Sequence, residues 1–137
     1  MKLAKKSAML LVLLLIVFTA NVQADPDQAG GPGPVITYQA KYPILVQGKE
    51  YDLLTLIIDF PKGVGFPEHF HGGEVVATVL SGEVTLLEKG MERVLKAGES
   101  WTEAPGARHS VVNKGAPVRV AVSILLPKGA EVQTNVK

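Results

Sequence analysis

The sequence predicts an all-β domain, either a sandwich or a barrel built from short strands. From Val35 onward, short runs rich in Val, Leu and Ile alternate with Gly and Pro turn signals. Strands separated by such signals at spacings of about 8–12 residues are typical of antiparallel sandwiches and barrels. No segment beyond residue 34 shows an apolar period of about 3.6 residues with helix caps. The predicted strands are 53–60, 75–80, 84–88, 93–96, 100–103, 109–113 and 118–126.

A turn signal closes each of these strands except the last, as a chain that reverses direction between strands requires. In chain order, the signals are Pro61-Lys62-Gly63, Ser81-Gly82, Lys89-Gly90, Ala97-Gly98, Pro105-Gly106 and Lys114-Gly115-Ala116-Pro117. The last predicted strand, 118–126, is apolar enough to lie between two sheets or under a second copy of the chain. A homodimer therefore stays open as an alternative to a monomer.

The first 24 residues have the features of a secretory signal peptide. Three lysines within the first six residues precede an apolar run at 8–20, and Val22-Gln23-Ala24 offers small residues at a cleavage site. The run is short for a transmembrane span, although an uncleaved N-terminal anchor is the alternative. We expect cleavage after residue 24, a secreted or periplasmic protein, and no membrane association after cleavage.

The remaining chain divides into three predicted segments. Residues 25–34 are rich in Pro and Gly and predict a flexible leader. Residues 35–130 contain the predicted strands and form the single domain of this chain. Residues 131–137 are predicted to be a C-terminal tail.

Charge and cysteine content exclude several classes of protein. Removal of residues 1–24 takes away three of the 14 basic residues and none of the 13 acidic ones, so the net charge changes from +1 to −2. No basic patch remains, so we expect no nucleic-acid partner. The chain has no cysteine, and its stability must come from a packed core, a metal or self-association rather than from disulfides.

The three histidines of the chain have a spacing that suits metal binding. His69 and His71 stand at i and i+2, which places them on one face of a strand. His109 follows the Pro105-Gly106 turn, so a neighbouring strand could supply it to the same point. Neutral imidazole is the commonest protein ligand of transition metals. The alternative is three ordinary polar residues at the rim of a barrel.

Two motifs around these histidines resemble those of the cupins, which are small double-stranded β-helix (jelly-roll) barrels. The first family motif is G-x5-H-x-H-x3/4-E-x6-G, and its positions here are Gly63, His69, His71 and Gly82. The second is G-x5-P-x-G-x2-H-x3-N, with Gly98, Gly106, His109 and Asn113 at the family spacing and Ala104 replacing the first proline. The resemblance covers about residues 35–127 and implies a single-domain cupin barrel.

The carboxylate ligand of the family pattern is where this chain departs from it. That ligand would align with Val75, whereas the acidic residue here is Glu74. In a regular strand, position 74 faces away from 69 and 71, but a bulge at Gly72-Gly73 would turn it inward. The site is therefore the three histidines with Glu74, or the three histidines alone with open positions, which would resemble three-His iron cupins such as the thiol and diketone dioxygenases.

The resemblance implies a divalent transition metal (Fe, Mn, Ni, Cu or Zn) and a small-molecule ligand or substrate. It leaves two functions open: a metal-dependent oxidoreductase of dioxygenase type, or a non-catalytic periplasmic module that binds or senses a metal or small molecule. A sugar isomerase or epimerase is less favoured, because no histidine or lysine is clearly left to act as an additional base. Since ligating histidines must be neutral, metal affinity should fall below about pH 6.

Three further residues near the motifs have simpler expected roles. Trp101, the only tryptophan, is expected in the core, with the wall of a ligand pocket as the alternative. Arg108 adjoins His109 with the opposite parity along a strand, so we expect it on the surface. Glu68 is expected to be a solvated carboxylate beside the histidine pair.

Overall fold

Ten antiparallel strands in two five-stranded sheets make up the computed structural model, which describes residues 33–137. The predicted all-β fold is therefore confirmed. The strands are β1 Val35–Val46, β2 Lys49–Phe60, β3 Gly65–Phe70, β4 Glu74–Ser81, β5 Glu83–Glu88, β6 Met91–Lys96, β7 Ser100–Glu103, β8 His109–Val112, β9 Val118–Pro127 and β10 Thr134–Asn135. The predicted signal peptide and most of the predicted leader lie outside the described residues.

The order of the strands shows that the chain passes back and forth between the two sheets. One sheet has the order β1-β2-β9-β4-β7 and the other has the order β10-β3-β8-β5-β6. The connections β2–β3, β4–β5 and β6–β7 each lead from the first sheet to the second or back again. This arrangement is a jelly roll, in which the inner faces of two sheets enclose the core. Between residues 33 and 137 there is no helix long and apolar enough to cross a membrane.

Strict alternation of side chains builds the core between the sheets. Along β2, the even-numbered residues from 54 to 60 point inward, whereas their odd-numbered neighbours are more exposed. The same alternation on β4 turns Val75, Ala77 and Val79 toward the core. The buried apolar residues are Leu54, Leu56, Ile58, Phe60, Val75, Ala77, Val79, Val84, Leu86, Leu95, Trp101, Val111, Val118, Val120, Ile124 and Leu126. Trp101 lies in the core, as expected.

Two tight hairpins use backbone conformations that suit only a few residue types. Gln47 and Gly48, between β1 and β2, both have positive φ (49° and 75°), and Lys89 and Gly90, between β5 and β6, repeat the pattern (52° and 75°). Positive φ at both central residues is the signature of the type I′ turn, whose twist matches that of paired strands. The turn at Lys89-Gly90 was predicted, but β1 and its hairpin were not.

Asn113 ties the end of β2 to the turn that follows β8. Its side chain is fully buried, and its Nδ2 donates to the backbone carbonyls of Phe60 (2.9 Å), Pro61 (3.1 Å) and Ala116 (2.8 Å). Its Oδ1 accepts from the backbone N–H of Gly115 at 2.9 Å. One amide thus satisfies buried polar groups from two separate loops, which a hydrocarbon side chain cannot do.

Replacement of this amide tests its structural role. We expect Asn113→Ala to lower the free energy of unfolding by roughly 3 kcal/mol, because it leaves buried backbone groups without partners. Denaturant unfolding followed by circular dichroism measures the loss. Asn135→Ala, at an exposed asparagine, is the matched control and should change stability by less than about 0.5 kcal/mol. Equal losses in the two variants would contradict this role for Asn113.

Candidate metal centre

The three histidines meet at one point, as the sequence predicted. His69 is the cross-strand partner of His109 in the β3–β8 pair, and His71 lies just beyond the end of β3. All three are buried, and one ring nitrogen from each lies within 4.8 Å of the other two. The ring centroids of His69 and His109 are 4.2 Å apart. Pairing between adjacent strands therefore builds the cluster, and this donor set suggests a metal-ion site.

Backbone carbonyls fix the orientation of all three imidazoles. The Nδ1 atoms of His69, His71 and His109 lie 2.7, 2.6 and 3.1 Å from the carbonyl oxygens of Pro67, Val132 and Ala107, respectively. A carbonyl can only accept a hydrogen bond, so Nδ1 of each neutral ring must carry the proton and donate it. The three Nε2 atoms then present lone pairs. Metal-binding histidines are held in the same way by carbonyl or carboxylate partners.

The carboxylate of Glu103, at the end of β7, lies against two of the three histidines, although neither sequence motif points to this residue. Its Oε1 lies 3.1 Å from Nε2 of His109, and its Oε2 lies 3.4 Å from Nε2 of His71. The side chain is almost completely buried, with only 4% of the residue exposed. The sequence held one signal for it: Glu103 shares its parity with Trp101, so a core Trp101 places Glu103 inside as well.

One oxygen of Glu103 is satisfied and the other is not. The indole N–H of Trp101 donates to Oε1 at 2.7 Å. The contact of Oε2 with His71 is long and lacks hydrogen-bond geometry, so Oε2 has no hydrogen-bond partner within residues 33–137. A buried carboxylate oxygen without a partner is costly unless a cation or a proton compensates it. The residues present therefore fit a bound cation.

Glu74, the carboxylate that the sequence offered as a fourth ligand, is not part of the histidine cluster in the structure. It is exposed at the start of β4, while Val75 beside it points into the core. His71, Gly73 and Val75 are all buried, so the inward parity of the odd-numbered positions continues through Gly72-Gly73 and leaves Glu74 on the outer face. The two glycines before it serve close packing instead, because a Cβ at Gly73 would collide with the carbonyl of Leu125 on β9.

The other two polar residues near the motifs lie where they were expected. Both Glu68 and Arg108 are exposed, each next to a buried histidine in the chain. Their side chains have the opposite parity from those of His69 and His109, which points them away from the cluster. The site thus brings three imidazoles together, with the carboxylate of Glu103 against two of them.

The last residues of the chain form one wall of the site. Strand β10 pairs with β3, with Thr134 opposite Phe70 and Asn135 opposite His69. Just before it, the carbonyl of Glu131 accepts from the N–H of Gly72 at 3.1 Å, and the carbonyl of Val132 holds His71. Within the segment 131–137, predicted to be a tail, residues 134 and 135 thus join the second sheet, and the carbonyl of Val132 orients one candidate ligand.

Burial keeps these imidazoles neutral. Desolvation lowers the pKa of His69 to about 4, although its hydrogen bond to Pro67 opposes the shift. Desolvation also lowers the pKa of His71 and of His109, while burial raises the pKa of Glu103. A neutral imidazole is the form that binds a metal, so protons should compete with metal at lower pH than the sequence-based expectation of about 6.

Comparison with known proteins identifies one family. Residues 56–125, slightly more than half of the chain, match the family model described as the cupin domain. No curated protein sequence matches the chain significantly.

Solved structures share the fold at low sequence identity. A conserved protein with a double-stranded β-helix domain from Klebsiella pneumoniae is 24% identical, with a TM-score of 0.54, over 74% of this chain and 86% of that one. The DMSP lyase DddQ from Ruegeria pomeroyi is 21% identical, with a TM-score of 0.56, over 72% and 51%. A predicted oxalate decarboxylase from Thermotoga maritima is 22% identical, with a TM-score of 0.50, over 64% and 93%.

The lowered histidine pKa values predict acid sensitivity of the metal-free protein. When folding lowers the pKa of a histidine, the free energy of unfolding is highest above about pH 6.5, the pKa of the ring in the unfolded chain. This free energy decreases as the pH falls toward the pKa of the ring in the folded protein. For His69, whose folded pKa is about 4, this loss amounts to about 3 kcal/mol. The free energy of unfolding should therefore decrease between pH 7 and about pH 4, as measured by urea unfolding at a series of pH values.

A variant without the titrating ring provides the test. His69→Gln should make this pH dependence shallower, whereas the matched control Glu74→Gln, at an exposed position, should leave its slope unchanged. If the free energy of unfolding of His69→Gln depends on pH as steeply as that of the wild type, the lowered pKa of His69 is not the cause of the acid sensitivity.

Proposed function

Because this chain belongs to the cupin family, we propose that it binds one divalent transition metal in the three-histidine cluster and acts there on a small organic molecule. The observation that carries the proposal is the common orientation of the imidazoles. Each Nδ1 is held by a backbone carbonyl, which leaves the Nε2 lone pairs free, and one ring nitrogen of each buried histidine lies within 4.8 Å of the other two. Neutral groups that each present a lone pair to the same point favour a cation there.

His69, His71 and His109 would hold the metal through their Nε2 atoms. Imidazole ligands suit Fe, Ni, Cu and Zn, and a nearby carboxylate also makes Mn acceptable, so the donor set does not select a single metal. When bound, the metal would supply a Lewis acid and, for Fe, Mn or Cu, a redox centre. The chain itself contributes rigid positioning by two paired strands and exclusion of water from the rings.

The reaction class we propose is oxidation of a small organic substrate by dioxygen. Three neutral histidines occupy only part of a coordination sphere, so substrate and oxygen could both be accommodated.

A second candidate is a non-catalytic module that binds a metal or a small molecule. The burial of the site favours it, because only 2% of the surface of both His69 and His109 is exposed. A substrate must therefore displace part of the surrounding wall, whereas a tightly held ion needs no such opening.

Oxygen uptake by the metal-loaded protein separates these functions. We expect protein loaded anaerobically with Fe²⁺ to consume oxygen with at least one member of a panel of thiols, diketones and flavonols. His69→Ala should abolish the uptake by removing a ligand, and Glu74→Gln should retain it. Fully loaded protein that consumes no oxygen with any member of the panel would contradict the dioxygenase proposal, and a small molecule retained without turnover would favour the binding module.

We also propose that the protein is exported and that residues 1–24 are removed. The lysines, the apolar run and the small residues before Asp25 support this proposal. Protein recovered from the periplasm or the medium should have an intact mass that corresponds to a chain beginning at Asp25. Recovery of the full-length chain with the membrane fraction would contradict cleavage.

A further inference from the structure

We propose that Glu103 is the carboxylate ligand of this centre, supplied by β7 in place of a residue on β4. The inference rests on the proposed metal site. It concerns a residue to which the family motifs give no role as a metal ligand in this chain. The motif would place a carboxylate at position 75, and that position here is Val75. The structure brings a different carboxylate to the same side of the same sheet.

The register of the first sheet shows how β7 can take over this role. Val75 and Glu103 are direct cross-strand partners in the β4–β7 pair. Both residues are buried, Val75 with 2% and Glu103 with 4% of their surface exposed, so their side chains share the inner face. Directly opposed residues in an antiparallel pair have Cβ atoms about 4.5–5.5 Å apart. A carboxylate on either residue can therefore reach the same small region between the sheets.

The distances within the cluster suit donors that share one ion. Bonds of about 2.0–2.2 Å from a metal to nitrogen or oxygen separate neighbouring donors by about 3.0–3.5 Å. The Glu103 oxygens lie 3.1 Å from Nε2 of His109 and 3.4 Å from Nε2 of His71. The carboxylate thus already lies at the separation that a fourth ligand would have from two of the histidines.

The hydrogen bonds leave one carboxylate oxygen free for this purpose. Oε1 accepts from the indole N–H of Trp101, and Oε2 has no hydrogen-bond partner among the described residues. With Nδ1 of His71 and His109 donating to carbonyls, their Nε2 atoms offer lone pairs rather than protons to the carboxylate. An ionised carboxylate facing two lone pairs in a buried site is unfavourable until a cation lies among them.

Trp101 is the positioning residue in this arrangement. Trp101 lies two residues before Glu103 on the same face of β7. Its indole N–H donates a hydrogen bond to one oxygen of the Glu103 carboxylate. It acts on the metal only through Glu103. As the only tryptophan in the chain, it also reports on the site, because occupation of the carboxylate by a metal should change its fluorescence.

Zinc binding by three proteins tests the proposal. Wild type, Glu103→Gln and Glu74→Gln are each titrated with Zn²⁺ alone and followed by calorimetry and by Trp101 fluorescence. Loss of a residue that only orients a ligand typically costs about 10–100-fold in metal affinity. We expect Glu103→Gln to weaken Zn²⁺ binding by more than about 100-fold and Glu74→Gln, the matched control at an exposed acid, by less than about threefold.

A crystal structure of the wild type with Zn²⁺ gives an answer that needs no variant. We expect an oxygen of Glu103 at about 2.0–2.2 Å from the ion, together with the three histidine Nε2 atoms. If the ion binds the histidines while both Glu103 oxygens stay beyond about 3 Å, Glu103 is not a ligand and the proposed function stands. If the wild type binds no Zn²⁺ by calorimetry, both proposals are overturned.

Discussion

Three hydrogen bonds from imidazole Nδ1 atoms to backbone carbonyls are the interactions on which this site depends. The accepting carbonyls belong to Pro67 and Ala107, each two residues before the histidine that it holds, and to Val132 near the end of the chain. Together they select one tautomer and one orientation for each ring. Without them, burial of the rings would still occur, but the Nε2 atoms would have no reason to face one another. Orientation by the backbone therefore turns three buried polar residues into a coherent set of donors.

Such a site is stabilised by the rest of the barrel rather than by itself. The site buries polar groups where apolar side chains would otherwise pack. These groups are three neutral imidazoles and a carboxylate of which one oxygen has no hydrogen-bond partner among the described residues. The alternating apolar residues of β2, β4 and β9 supply the opposing stabilisation. A ligand that binds only the folded state adds its binding free energy to stability, so metal binding and folding should be coupled in this protein. Because metal binding would stabilise the folded state, it would offset the cost of burying these polar groups.

The sequence predicted those parts of the site that depend on local geometry. Parity along a strand places His69 and His71 on one face, and the turn signals locate seven of the ten observed strands. Parity also shows that Glu74 needs a bulge to point inward, and in the structure Glu74 is exposed while Val75 beside it is buried. What the sequence could not supply was the register between distant strands. The pairing of Val75 with Glu103, and of the C-terminal segment with β3, is set by the closure of the sheets.

The central claim is that three imidazoles with converging lone pairs hold a metal ion. Elemental analysis of the wild-type protein, purified from its own compartment without chelators, tests it most directly alongside His109→Ala. We expect about one divalent transition-metal ion per chain in the wild type and little or none in the variant, because all three rings must be neutral and in place to bind it. Folded wild-type protein without metal that also takes up none from added Fe, Mn, Ni, Cu or Zn would contradict it.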